Sequence, residues 1–174
     1  MKLIVGLGNP DKQYEYTYHN VGYMAIENLA DKLDTNFTKT ECKAKVAEAR
    51  INGEKVILAK PLTYMNLSGE SVVMFKNKYK IEDKDIFVFC DDIDLPFGKF
   101  RFRENGSAGT HNGLRNIVVH IGTNFNRIRI GIGRDERFAN LADFVLSKIP
   151  SEKLIAIDET IEEAIKTLQQ KLGE

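Results

Sequence analysis

Lys2-Leu3-Ile4-Val5-Gly6-Leu7, followed at once by Gly8-Asn9-Pro10, opens the chain with an apolar run and a hard stop. The run is short and ends in turn residues, which predicts a buried strand rather than a helix. Ile86-Phe87-Val88-Phe89-Cys90 has the same character and ends in the acidic cluster Asp91-Asp92-Ile93-Asp94. Two buried strands this far apart ask for helices and further strands around them.

Those elements are readable outward from the two runs. Asn20 is placed to cap a helix over about Val21–Leu33, with Val21, Met24, Leu29 and Leu33 among its apolar positions. Strands at about Ala44–Ile51 and Lys55–Ala59 flank Asn52-Gly53, a strong hairpin signal. A helix follows Asn66 or Leu67 and runs to about Tyr79. Lys99–Arg103 alternates as an edge strand does, Glu104–Thr110 is a glycine-containing loop, and His111–His120 is a short helix. Asn126–Gly133 is a strand alternating Arg127 and Arg129 with Ile128 and Ile130, and Ser151–Leu172 is helical with Ser151 as its cap. The interleaving predicts an α/β fold: one domain over residues 1–174, with a mixed central β-sheet and helices on both faces.

The 174 residues suffice for one sizeable core, and 43% apolar with 29% charged residues is the balance of an ordinary soluble globular protein. Net formal charge is zero, yet residues 99–134 carry seven Lys/Arg against the single acid Glu104. A polyanion would therefore meet a local basic segment, not a basic protein. Cys42 and Cys90 lack neighbours at ligand spacing, which argues for reduced thiols and against a zinc site or disulfide framework. The opening apolar run is too short for a signal peptide and no later stretch approaches a membrane span, so the expected compartment is the cytoplasm.

Only three histidines are available for acid–base work: His19, His111 and His120. His19 lies in the loop beyond the first strand, where open α/β sheets place their sites, although on position alone a helix-capping role explains it as well. Asp91 stands at the end of the second buried run; a solvated turn cluster is the ordinary reading, and Asp92 with Asp94 could alternatively hold a hard divalent cation. Gly6-Leu7-Gly8-Asn9-Pro10-Asp11 imitates a dinucleotide fingerprint but has Asp11 at the third glycine position. No Gly-x-Ser-x-Gly elbow supports a serine nucleophile. Asn9, Asn66 and Asn112 each read singly as turn or cap residues. Together they could hold an ester carbonyl and a peptide backbone without adding charge.

Five stretches taken in order resemble the bacterial-type peptidyl-tRNA hydrolases. They are Val5–Pro10 with Tyr14 and Thr17–Gly22; Lys60-Pro61-Leu62-Thr63-Tyr64-Met65-Asn66-Leu67-Ser68-Gly69; Asp91–Pro96; Gly106–Arg115; and Arg127–Arg134. The resemblance spans roughly residues 1–150 and departs from the family pattern at Asp11, Tyr18 and Thr110, where Gly, Arg and Gly are usual. It implies hydrolysis of the ester joining a peptide to the terminal ribose of tRNA. His19 would be the general base and Asp91 its orienting carboxylate. Asn66 and Asn112 would bind the peptide and terminal nucleotide, Asn9 would distinguish blocked from free amino groups, and Tyr14 and Tyr64 would contact substrate above Met65. It further implies a monomer with no cofactor and no metal, whose partner is peptidyl-tRNA held through phosphates rather than bases. Two other readings stay open at this stage: a metal-dependent phosphotransferase using Asp92 and Asp94, and an RNA-binding module without activity.

Overall fold

The opening run forms strand β1 (Lys2–Gly6), and it lies at the centre of a seven-stranded sheet. The computed structural model describes residues 1–173; Glu174 lies outside the described residues. The other strands are β2 (Lys39–Glu41), β3 (Ala44–Ile51), β4 (Glu54–Pro61), β5 (Ile86–Asp92), β6 (Phe100–Arg103) and β7 (Asn126–Gly131). Their spatial order is β2-β3-β4-β1-β5-β7-β6. β4, β1, β5 and β7 run parallel; β3 and β6 run against them, and the marginal β2 pairs antiparallel with β3. The mixed α/β sheet is thus the expected one.

The alternation of β1 shows why both faces need cover. Leu3, Val5 and Leu7 belong to one buried cluster and Ile4 to the other. Helices α1 (Val21–Lys32) and α5 (Ser151–Leu172) pack on the Ile4 side, through residues such as Ile26, Leu29, Ile161 and Ile165. Helices α2 (Ser68–Tyr79) and α3 (Asn112–Ile121) pack on the other, through Val72, Phe75, Leu114 and Ile117. The chain leaving β1 turns to one face and the chains leaving β4 and β5 lead to helices on the opposite face. Their loops part at the carboxyl edge of the parallel strands, and such a parting is where an open α/β sheet makes its crevice.

Two hairpins show what local sequence does and does not announce. The turn between β3 and β4 has Asn52 at φ 52° and Gly53 at φ 81°, the left-handed pair that a two-residue hairpin requires. The turn between β2 and β3 has the same hand, but Cys42 at φ 51° and Lys43 at φ 56° supply it. No glycine or asparagine marks that turn, and β2 is absent from the sequence reading for that reason. A short helix, α4 (Leu141–Val145), is also new; Asn140 caps it, its side chain accepting from the Ala142 N–H at 2.8 Å. Asn20 stands at the N-cap of α1 as expected, although its side chain makes no cap bond and is committed elsewhere; the cap of α5 is Pro150 rather than Ser151, which corrects that expectation.

The α1–sheet contact has no slack. A Cβ on Gly22 would sit 2.5 Å from the carbonyl oxygens of both Leu7 and Phe89. Helix α1 therefore meets the ends of β1 and β5 backbone to backbone, which fixes the loop that precedes it. Gly22→Ala should cost about 1–3 kcal/mol, as overpacking a close core contact does. Urea unfolding measures this, and an unchanged midpoint would show that α1 can shift freely.

Candidate active site

Asp91 is the last residue but one of β5 and is only 2% exposed. Its carboxylate meets two imidazoles. His19 Nδ1 lies 2.9 Å from Oδ2 and 3.1 Å from Oδ1, and His111 Nε2 lies 2.9 Å from Oδ1. His19 comes from the turn before α1, and His111 is the N-cap of α3. Parallel pairing of β1 with β5 brings the first two together across 72 residues of sequence.

The proton positions follow from what each ring nitrogen touches. An ionised carboxylate only accepts, so the nitrogens facing Asp91 carry hydrogen. His19 is then protonated on Nδ1 when neutral, leaving Nε2 to take a proton. His111 Nδ1 accepts the Leu114 N–H at 3.2 Å, which leaves Nε2 as its donor to Asp91. The two rings lie 4.9 Å apart at 49°. Burial works against an imidazolium at His19, but the charge and hydrogen bond of Asp91 outweigh it and raise its pKa above the ordinary 6.5. Burial would push the Asp91 carboxyl up; the attraction of His19 and then His111 outweighs it and holds the group far below the usual carboxylate range.

The asparagines divide into two kinds. Asn9 is buried and fixed: its Oδ1 accepts the Met65 N–H at 2.9 Å, while the Asn20 side chain accepts from the Asn9 N–H at 2.8 Å and donates to its carbonyl at 3.0 Å. The oxygen of Asn9 is thus spent on the backbone, and its amide hydrogens are the end left for a ligand. Asn66 and Asn112 are exposed. All three line one cleft of about 740 Å³ with Tyr14, His19, Tyr64, Met65, Asp91 and His111. Met65 lies beneath, against Gly113, where a Cβ would fall 2.6 Å from the Met65 sulfur. Every expected site residue therefore borders the same cavity.

Three features escaped the sequence reading. His111 was counted but given no role, although a histidine at a helix start beside Asn112 was the available signal. Asn20 was read as a cap, a position it does hold, but its grip on Asn9 was not foreseen. The apolar wall of Leu141, Ala142, Val145 and Leu146, from α4 and the residue after it, carries no local mark. The basic segment also needs correction. Arg127 is fully buried, its guanidinium over the Phe125 ring and bonded to the carbonyls of Phe125 and Thr123. Burial and then the neighbouring Arg129 lower its pKa to about 10. Arg127 supports a loop and offers nothing to an anion. Arg101, Arg103 and Arg129 do line the cleft. Asp92 and Asp94, the rival metal ligands, are occupied: Asp92 accepts the Asp94 N–H at 2.9 Å and lies 3.8 Å from Arg129, and Asp94 pairs with Arg134 at 2.5 Å.

Tyr64 is held in an unusual shape at the cleft mouth. Its backbone lies at φ 63° and ψ 158°, a region that residues with a side chain enter only at a cost of about 1–3 kcal/mol.

An imidazole backed by a carboxylate, opening into a cleft rimmed with amide side chains at the carboxyl edge of a parallel sheet, is the equipment of a hydrolase that activates water. The chain belongs to the peptidyl-tRNA hydrolase family, whose sequence model matches residues 3–174. It is 48% identical over 170 residues to a peptidyl-tRNA hydrolase of Shouchella clausii, covering 97% of this chain and 92% of that one. It is 45% identical over 174 residues to that of Bacillus cytotoxicus, covering 99% and 94%. Among solved structures, peptidyl-tRNA hydrolase from Acinetobacter baumannii superposes with a TM-score of 0.88 at 41% identity, covering 93% of this chain and 83% of that one. A peptidyl-tRNA hydrolase in complex with N-propanol gives 0.92 at 40% identity, covering 97% and 87%. Membership defines the reaction as release of tRNA from peptidyl-tRNA by hydrolysis. No helix of the described residues is long and apolar enough to cross a membrane.

The charge of Asp91 sets the titration of His19. By NMR the neutral His19 should carry its proton on Nδ1 and titrate with a midpoint above 6.5. In Asp91→Asn the burial remains and the attraction does not, so the midpoint should fall below that of the parent. A midpoint unmoved by this substitution would mean that Asp91 does not act on His19 through charge.

Proposed function

We propose that His19 is the general base of this hydrolysis and that Asp91 orients and supports it. One observation carries this reading: the bond from His19 Nδ1 to a buried carboxylate leaves Nε2 as the basic atom on the cleft. Water loses a proton to Nε2 as its oxygen attacks the ester carbonyl carbon. The bond from that carbon to the ribose oxygen then breaks, and the proton passes to the departing hydroxyl. An aminoacyl ester is already activated, so a positioned water, a base and amide donors for the oxyanion are enough. No metal or organic cofactor enters the scheme.

Asn66 and Asn112 bind the peptide and terminal nucleotide and orient the water, and the amide hydrogens of Asn9 donate to the acyl carbonyl of a blocked substrate, an acceptor that a free amino group lacks. Tyr14 and Tyr64 flank the peptide. Arg101 and Arg103 of β6 and Arg129 of β7 hold phosphates, a contact that positions tRNA without reading its bases. The protein works as a monomer in the cytoplasm, consistent with Cys42 and Cys90 being free thiols.

N-acetyl-aminoacyl-tRNA hydrolysis tests the scheme, with free aminoacyl-tRNA as the disfavoured substrate. His19→Ala should lower kcat by about 10²–10⁴-fold while tRNA binding persists. Asp91→Asn should lose less, and the double variant little more than His19→Ala alone, because the pair acts as a unit. Losses that multiply would separate Asp91 from His19, and equal rates on blocked and free substrates would remove the role given to Asn9.

Arg101 and Arg103 project from the edge strand with no acid paired to them among the described residues. Replacing either should weaken tRNA binding and lower the slope of log affinity against log salt by about 1. An unchanged slope would place the phosphates elsewhere.

A further inference from the structure

Tyr64 and Asp11 lie 53 residues apart in sequence, and the Tyr64 hydroxyl donates to Asp11 Oδ2 at 2.8 Å. Asp11 belongs to the loop after β1, and Tyr64 to the loop after β4. The same two loops are joined one residue away, where the Met65 N–H donates to Asn9 Oδ1 at 2.9 Å. Tyr64, whose backbone is the strained one at φ 63°, therefore has a tether on each side: its own hydroxyl to Asp11 and the next peptide group to Asn9. The Asn9 tether is buried and the Asp11 tether is exposed. Tyr64 lines the cleft and is 47% exposed, so little packing holds its ring in place. The Tyr64 carbonyl accepts from the Leu67 N–H at 3.1 Å, so its backbone is held independently, and loss of the outer tether frees the ring to turn about its side-chain torsions away from the cleft.

We infer that Asp11 is a positioning residue that latches Tyr64 across the mouth of the cleft, keeping its ring set against the peptide part of the substrate. This rests on the reading that the Tyr14–Tyr64 end of the cleft takes the peptide. The aspartate acts through the tyrosine and touches neither the ester nor the tRNA. Its carboxylate also suits that end of the cleft, because it would repel phosphate from the peptide side while the arginines draw it to β6 and β7.

Asp11→Ala, Tyr64→Phe and the double variant test the latch, using steady-state hydrolysis of N-acetyl-aminoacyl-tRNA and competition by uncharged tRNA. Each single variant should raise KM about three- to tenfold, the range for one exposed hydrogen bond to a charged acceptor, with kcat within about twofold of the parent. The double variant should be no worse than either single one, since each removes the same bond. The inhibition constant of uncharged tRNA, which has no peptide, should stay put, and Asp11→Asn, which keeps an acceptor oxygen, should fall between parent and Asp11→Ala. An unchanged KM in Asp11→Ala, or single effects that multiply, would overturn the latch. So would an inhibition constant that rises in step with KM. A parent protein that hydrolyses nothing would instead overturn the functional reading beneath it.

Discussion

One buried carboxylate organises the catalytic edge of this protein. Taking Asp91 out of water costs several kcal/mol unless hydrogen bonds offset it, and two imidazoles from different parts of the chain donate them. The arrangement is mutual. Asp91 holds the turn before α1 and the start of α3 against the end of β5, and each histidine gains a fixed ring orientation. The two rings are not equivalent. The free nitrogen of His111 is taken by the backbone of its own helix, whereas that of His19 is left over. A single backbone N–H makes the difference between a ring with both nitrogens bonded and one with a nitrogen to spare.

Around this centre the site is built from neutral groups. Asn20 grips both backbone polar atoms of Asn9, and Asn9 in turn holds Met65. The arginines on the cleft are Arg101 and Arg103 on β6 and Arg129 on β7, and Arg129 lies 3.8 Å from Asp92.

Much of this was legible in the sequence, and the failures have physical causes. Long apolar runs and the Asn52-Gly53 turn are local signals, and they gave β1, β3, β4 and β5 with helices on both faces. Asp91 and His19 were suspected because both follow buried strands, yet their contact depends on parallel pairing, which no local pattern states. The motif resemblance located Asn9, Asn66, Asn112, Tyr14 and Tyr64, and all five border the cleft. Arg127 was counted with the basic residues by its residue type alone. Its side chain is covered at this end of β7 by Phe125 and its loop, a tertiary fact. The β2–β3 turn was invisible because Cys42 and Lys43 adopt a conformation their residue types seldom choose. Asn20 occupies the N-cap position read for it, but its side-chain partner lies eleven residues back, which no local pattern states.

The side-chain grip on Asn9 and Met65 has a further consequence for how the molecule breathes. Both amide hydrogens lie in loops, yet each points at a buried side-chain oxygen, that of Asn20 in the turn before α1 or that of Asn9 just after β1. They exchange with solvent only when that grip opens. Such an opening has to separate the ends of β1 and β4 from the turn before α1. The floor of the cleft therefore belongs to the same cooperative unit as the central strands, although its backbone is irregular. Local melting there carries the cost of opening the sheet, so a loop surface keeps the stiffness of a strand.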